Sequence, residues 1–212
     1  MKLTVKEKLN QFFKQFSNDD RVLIIINADP DAIASAMAVK RLLWRRVQSI
    51  TISNINTIDR PDNIAMVEHL GIKLVHTDNL NDRRFTKRVL VDSQPCHSEH
   101  FEKFQFDVVI DHHPDTSCEA AFQDIRPKYG ATATILTAYL RAAKIKPSTK
   151  LATALILAIK TDTSNFEMQT IIEDVRAFQY LFRHANKHLI RRIEQSDLKP
   201  EYLKYYKKAL EI

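Results

Sequence analysis

Seven acidic and imidazole residues of this chain share a placement that suits acid, base or metal chemistry. Asp29 and Asp31 stand just past the apolar run RVLIII and just before the small side chains of AIASA. Asp92 closes VLVD, Asp111, His112 and His113 close DVVIDHH, and Asp162 follows the apolar run LATALILAI. In open α/β sheets ligands gather at the carboxyl ends of the strands, so residues just past a strand are the ones a site uses. Five carboxylates and two imidazoles are thereby expected at one edge. Carboxylates so close repel and raise one another's pKa values unless a cation neutralises them. An oxygen-rich set with one or two imidazoles suits Mn²⁺ or Mg²⁺ better than thiolate-loving zinc. Two such ions ~3.5 to 4 Å apart, bridged by one carboxylate, activate a water and clamp a phosphoryl displacement.

The elements that must position these residues read as α/β, an open, mostly parallel sheet with helices on both faces. Strands are expected at RVLIII, SITI, KLV, VLV and DVVI. Helical apolar spacing recurs over residues 3–17, 32–46, 131–143, 148–160 and 171–183, with Pro61, Pro114, Pro127 and Pro147 in the intervening loops. No internal repeat or low-complexity segment interrupts the pattern.

Composition narrows the function classes. At 212 residues and 44% hydrophobic, the chain can bury a substantial core, most simply as one domain with the beginning of a second. Its net charge of +6 comes from basic residues dispersed in short groups such as Arg45-Arg46 and Arg191-Arg192, not from a compact nucleic-acid footprint. With two glycines, Gly71 and Gly130, glycine-cradled phosphate loops are excluded. Cys96 and Cys118 match no metal or redox spacing and fit reduced thiols. The N-terminal residues lack a signal-peptide layout and no apolar run approaches the ~20 residues of a spanning helix, so no membrane role and a cytoplasmic location are expected.

DPDAIASA, VDSQP, DHHP and KTDT, in this order, resemble the four motifs of the DHH phosphoesterase superfamily. That superfamily includes RecJ-type exonucleases, oligoribonuclease and phosphoadenosine phosphatases, and manganese pyrophosphatases. GATATI, residues 130–135, resembles a run of the oligoribonuclease-like branch, and the similarity spans roughly residues 20 to 185. The resemblance implies two Mn²⁺ (or Mg²⁺) ions. Asp29 matches a ligand of the first and Asp31 of the second, Asp92 the bridging carboxylate, and His112 and Asp162 the remaining ligands of the second. It implies that His113 faces the substrate phosphate and that Asp111 holds the His112 tautomer, which with Asp92 makes a catalytic set. The implied activity is hydrolysis of phosphodiester or phosphomonoester bonds in a small nucleotide or short single-stranded nucleic acid by a metal-bound hydroxide.

The departures from the pattern are specific. Ile25 stands where many members carry a histidine, and Asn27 where RecJ-type members carry a carboxylate, so the first metal site is expected to be the weaker. Ala34 replaces a common glycine with little expected consequence. Related enzymes continue into a smaller, glycine-rich substrate-binding domain. Residues 1–190 are therefore expected to form the catalytic domain, and 191–212 a linker helix toward a substrate-binding domain absent from the sequence. Tyr205 and Tyr206 would cover that domain or a second subunit, as in a homodimer. A catalytically weak or inactive module, binding metal or nucleotide in a regulatory role, is the alternative. Each motif also has a plainer reading: Asp29 and Asp31 as a turn and helix cap, His97 and His100 as surface residues, and Thr132 and Thr134 as a helix start.

Overall fold

Strands buried on both faces read as continuous apolar runs, and three such runs, VLIII, VLV and VVI, lie side by side at the centre of a single parallel sheet. The structure, a computed structural model, describes residues 3–197. The strands are β1 (Arg21–Ile26), β2 (Ser49–Asn54), β3 (Val75–His76), β4 (Lys87–Val91), β5 (Val108–Asp111) and β6 (Phe122–Ile125). Their order is β3-β2-β1-β4-β5-β6, and every neighbouring pair is parallel. Chain order reverses between β1 and β4, where Ile24 pairs with Val89 and Ile25 with Leu90. The carboxyl ends of these two strands therefore flank the crevice in which such sheets bind ligands.

Eight α-helices surround the sheet within the described residues: α1 (Val5–Phe13), α2 (Pro30–Leu42), α3 (Pro61–Leu70), α4 (Glu99–Glu102), α5 (Thr132–Ala142), α6 (Thr149–Asp162), α7 (Ile172–Phe182) and α8 (Lys187–Glu194). The two faces are covered unequally. Val22, Ile24 and Ile26 of β1 face the larger core, built with α1, α2, α3, α5 and α6. Leu23 and Ile25 face a smaller one, closed by Phe101 of α4 and by Phe106. Alanines and Ser35 along α2, nearly all fully buried, let it lie close against both α5 and α6.

Several boundaries differ from those expected. The KLV strand shortens to Val75–His76 at the sheet edge, because only Ser53 and Asn54 of β2 reach it. FQDI, whose alternating burial gave no continuous run, forms β6. Helix α3, closed by Gly71 at φ +60°, and helix α8 lie outside the expected stripes. Helix α8 runs through the expected domain boundary at 190, with Ile190 and Ile193 buried in the main core. The remainder of the expected linker helix, with Tyr202, Tyr205 and Tyr206, lies outside the described residues. Among the described residues, no helix is long and apolar enough to cross a membrane.

Candidate metal centre

The loop after β1 is pinned before it reaches its aspartates. The Ala28 N–H donates to Asn56 Oδ1 at 2.6 Å and Asn56 Nδ2 donates back to the Ala28 carbonyl at 3.2 Å. Asp29 then caps α2, accepting from the Ala32 N–H at 2.8 Å, and Pro30 fills the first helical position. Asp31 projects from the first turn of α2 into the core, fully buried. Its two oxygens accept from the Thr132 N–H at 2.6 Å and the Ala133 N–H at 2.8 Å. Helix α5 has no side-chain cap from its own N-cap residue, Ala131, so the carboxylate of one helix satisfies the free amides of another. The N-terminus that might have held a phosphate is thus occupied by Asp31.

Asp92 follows β4 in a left-handed backbone conformation, φ +60°, which aspartate tolerates better than most side chains. It accepts from the Thr132 hydroxyl at 2.9 Å. His112 follows β5 and brings its Nε2 to 3.2 Å from Asp162 Oδ2, 3.5 Å from Asp92 Oδ1 and 4.0 Å from Asp31 Oδ2. Asp31, Asp92, His112 and Asp162 each offer a ligating atom within 4.8 Å of the others. Asp162 arrives from the last turn of α6, not from a strand end as its place after an apolar run suggested. A carboxylate at a helix C-terminus opposes the macrodipole, an arrangement that a neighbouring cation reverses.

Three observations test whether these residues fit a divalent cation. His112 Nε2 is buried and, despite its nearness to Asp162, lies outside hydrogen-bond geometry with any partner. Its Nδ1 lies 3.2 Å from the Tyr129 carbonyl, which can only accept, so the proton sits on Nδ1 and the Nε2 lone pair is free to ligate. Burial, followed by the charge of Asp162, pushes the Asp31 carboxyl up to about 7, and burial with the charges of Asp31, Asp29 and Asp162 raises Asp92 far above its ordinary range. Although burial opposes it, the neighbouring carboxylates push His112 up to about 9 in the absence of an ion. The donor set, three carboxylate groups and one imidazole, fits a hard divalent cation.

Asp29 is drawn to the same edge but stands outside this group, engaged as the cap of α2. Ile25 is fully buried in the smaller core and cannot be reached by an ion, while Asn27 is exposed. Asp111 corrects one expectation. It holds His113, not His112: its Oδ1 lies 2.8 Å from His113 Nδ1, because the residue two positions on turns back over the end of β5. Its other oxygen accepts from Gln94 Nε2 at 2.7 Å. These bonds keep Asp111 below the ordinary carboxylate range despite burial, and the bond to Asp111 raises His113. The His113 ring lies 4.5 Å from that of His112, with 44% of its side chain open to solvent.

Sequence reading passed over Gln94, Thr132 and the Tyr129 carbonyl as parts of this centre. Only the position of Gln94 just past β4 signalled it. His97 approaches from the surface, its ring 5.5 Å from His113, and accepts from the Gln94 N–H at 3.2 Å, whereas His100 stays exposed. Arg126 is committed to the buried Asp124, and Asn165 lies in a left-handed turn after α6.

A family model described as "DHH family, N-terminal domain" matches residues 21–159, which carry the strands, α2, α5 and all but the last turn of α6. The chain belongs to the DHH family. The uncharacterized protein MJ1633 of Methanocaldococcus jannaschii is 36% identical over 189 residues, 89% of this DHH chain and 40% of its own length. The chain therefore spans less than half of that relative. An exopolyphosphatase-related protein from Bacteroides fragilis shares the fold at a TM-score of 0.69 and 17% identity, over 93% of this chain and 62% of that one.

Proposed function

We propose that this DHH domain is a metal-dependent phosphoesterase acting on small nucleotides or short single-stranded nucleic acids. The observation that carries the reading is the orphaned Nε2 of His112, aimed among three carboxylates at the switch point of a parallel sheet. Mn²⁺ or Mg²⁺ would be held by Asp31, Asp92, His112 and Asp162, and Asp29 with Asp92 would serve the weaker first site. When bound, such an ion polarises a phosphoryl oxygen and acidifies a water.

The chain's own residues do the rest. The Tyr129 carbonyl fixes the His112 tautomer, and the α5 amides with the Thr132 hydroxyl hold Asp31 and Asp92 in place. With its Nδ1–H on Asp111, His113 offers Nε2 as a donor to a phosphoryl oxygen in its charged form, which its raised pKa favours and which neutralises a phosphate. The likeness to a protein named as exopolyphosphatase-related agrees with phosphorus chemistry without choosing the substrate.

A second reading rests on the burial of Ile25 and on Asp29 serving as a helix cap: a domain that binds one ion and turns over slowly or not at all. One assay separates them. The purified chain with Mn²⁺ is given a model phosphodiester and a short RNA beside an Asp92→Ala control. Hydrolysis lost at least ~10³-fold in the control supports the enzyme. Hydrolysis that survives the substitution overturns it, and no hydrolysis at saturating Mn²⁺ favours the second reading.

A further inference from the structure

At the opposite edge of the sheet, where β2 begins, a cavity of about 600 Å³ opens between α2, α3 and α6. The six residues of β1, about 20 Å of strand, separate it from the metal centre. Its size lies in the range of small-molecule pockets. Its floor is aliphatic, with Leu43, Ile52, Leu70 and Leu151 each no more than 3% exposed. Five cations rim it, Lys40, Arg41, Arg45, Lys73 and Lys150, and no carboxylate lines it among the described residues. None of the five forms an ion pair among the described residues.

Trp44 stands at the mouth, 57% exposed, with the guanidinium groups of Arg41 and Arg45 each 4.9 Å from its ring centroid. Arg45 reaches that position through a left-handed backbone, φ +62°. The indole keeps two cations in place on the rim, which lowers the entropy lost when an anion binds them. Helix ends account for part of the charge, since Lys40 and Arg41 lie in the last turn of α2. Lys73 and Arg45 belong to no helix, and the absence of any lining acid leaves the whole rim positive. The apolar floor is far larger than a bare anion needs. Gln48, Ser49 and Ser148, all exposed, also line the cavity and offer polar side chains to a ligand at its mouth.

We infer that this cavity is a binding site for a nucleoside phosphate, separate from the metal centre and independent of its activity. The base lies over the aliphatic floor beside Trp44, with its edge and sugar on Gln48, Ser49 and Ser148, and the phosphate meets the basic rim.

Trp44 is the sole tryptophan of the chain and stands at the mouth of this cavity, so its emission responds to binding there. Adenosine monophosphate is titrated into the full chain with a chelator present, and calorimetry is run in parallel. A saturable change in emission is expected, with affinity about tenfold or more above that for adenosine or for inorganic phosphate. The doubly substituted chain Lys73→Glu/Lys150→Glu, whose altered side chains are exposed, should keep its circular dichroism and lose about tenfold or more in affinity. Asp162→Asn, at a partly exposed ligand of the metal centre, should leave the affinity unchanged, so failure of the metal centre and failure of this site are read separately. No saturable binding, equal binding of phosphate alone, tighter binding of decanoate, an unaltered affinity in the double variant, or loss of binding in an Asp162→Asn chain that keeps its circular dichroism would each overturn the assignment.

Discussion

His112 shows how one side chain is set by its two ends. The Tyr129 carbonyl takes the Nδ1 proton, which leaves Nε2 facing three carboxylates with nothing to satisfy it. The metal-free centre therefore holds on to protons, and stability should depend on pH with a definite sign. Asp31 is raised from 3.8 to about 7, so the folded state binds the extra proton, and stability falls as pH rises through that interval. His112 is raised from 6.5 to about 9, so its contribution is present below 6.5 and lost as pH climbs through 9. Asp111 and Asp124 are lowered, and their contributions disappear only in acid. The chelated protein should thus melt at steadily lower temperature as pH rises from weakly acidic to weakly alkaline, and saturating Mn²⁺ should flatten the curve. A melting temperature that is independent of pH without metal would contradict these shifts. Thr132→Val tests the support of Asp92, since it deletes the hydroxyl bond and keeps the amide bond to Asp31. Mn²⁺ affinity by calorimetry should drop about 10- to 100-fold, and an unchanged affinity would make the hydroxyl incidental.

Among the elements, α5 and α6 lie where their apolar stripes place them, while the contacts they make to the centre were hidden. RVLIII, VLV and DVVI announced their strands by composition, and with them the edge where Asp29, Asp92, Asp111 and His112 emerge. Asp31 was legible as a helix start, but its bonds to the amides of α5 join residues 101 and 102 positions apart and leave no local pattern. The pairing of Asp111 with His113 was equally hidden, because two adjacent histidines differ only in how the end of β5 turns. Gly130 marks the junction of α5 with the turn after α6. A Cβ there would lie 2.5 Å from Thr163 Cγ2, 2.7 Å from the Gln169 carbonyl oxygen and 2.9 Å from Asp174 Oδ2. Asp174, fully buried, accepts from the Gly130 and Ile171 amides and from the Thr134 hydroxyl, which ties α7 to the start of α5. Gly130→Ala should cost about 1–3 kcal/mol in urea denaturation, because a backbone oxygen cannot move aside. A midpoint within error of the parent would show that this junction yields freely.

At the scale of the molecule, the sheet sorts its chemistry by edge: acids and imidazoles at the carboxyl ends of the strands, a basic rim at the amino ends. The net charge of +6 thus coexists with an acidic centre that the charge total concealed. Binding of an ion to the folded state alone stabilises by mass action, by about 2.7 kcal/mol at a hundredfold excess over Kd. Thermal melting of the intact chain should therefore shift upward with Mn²⁺, and Asp162→Ala should abolish most of the shift. An equal shift in that variant would place the ion elsewhere. The most direct test is anomalous diffraction at the manganese absorption edge from crystals of the chain grown with Mn²⁺. A peak within coordination distance of His112 Nε2 and the carboxylates of Asp31, Asp92 and Asp162 is the predicted result. Ordered density for these four side chains with no peak among them, at saturating Mn²⁺, would contradict it.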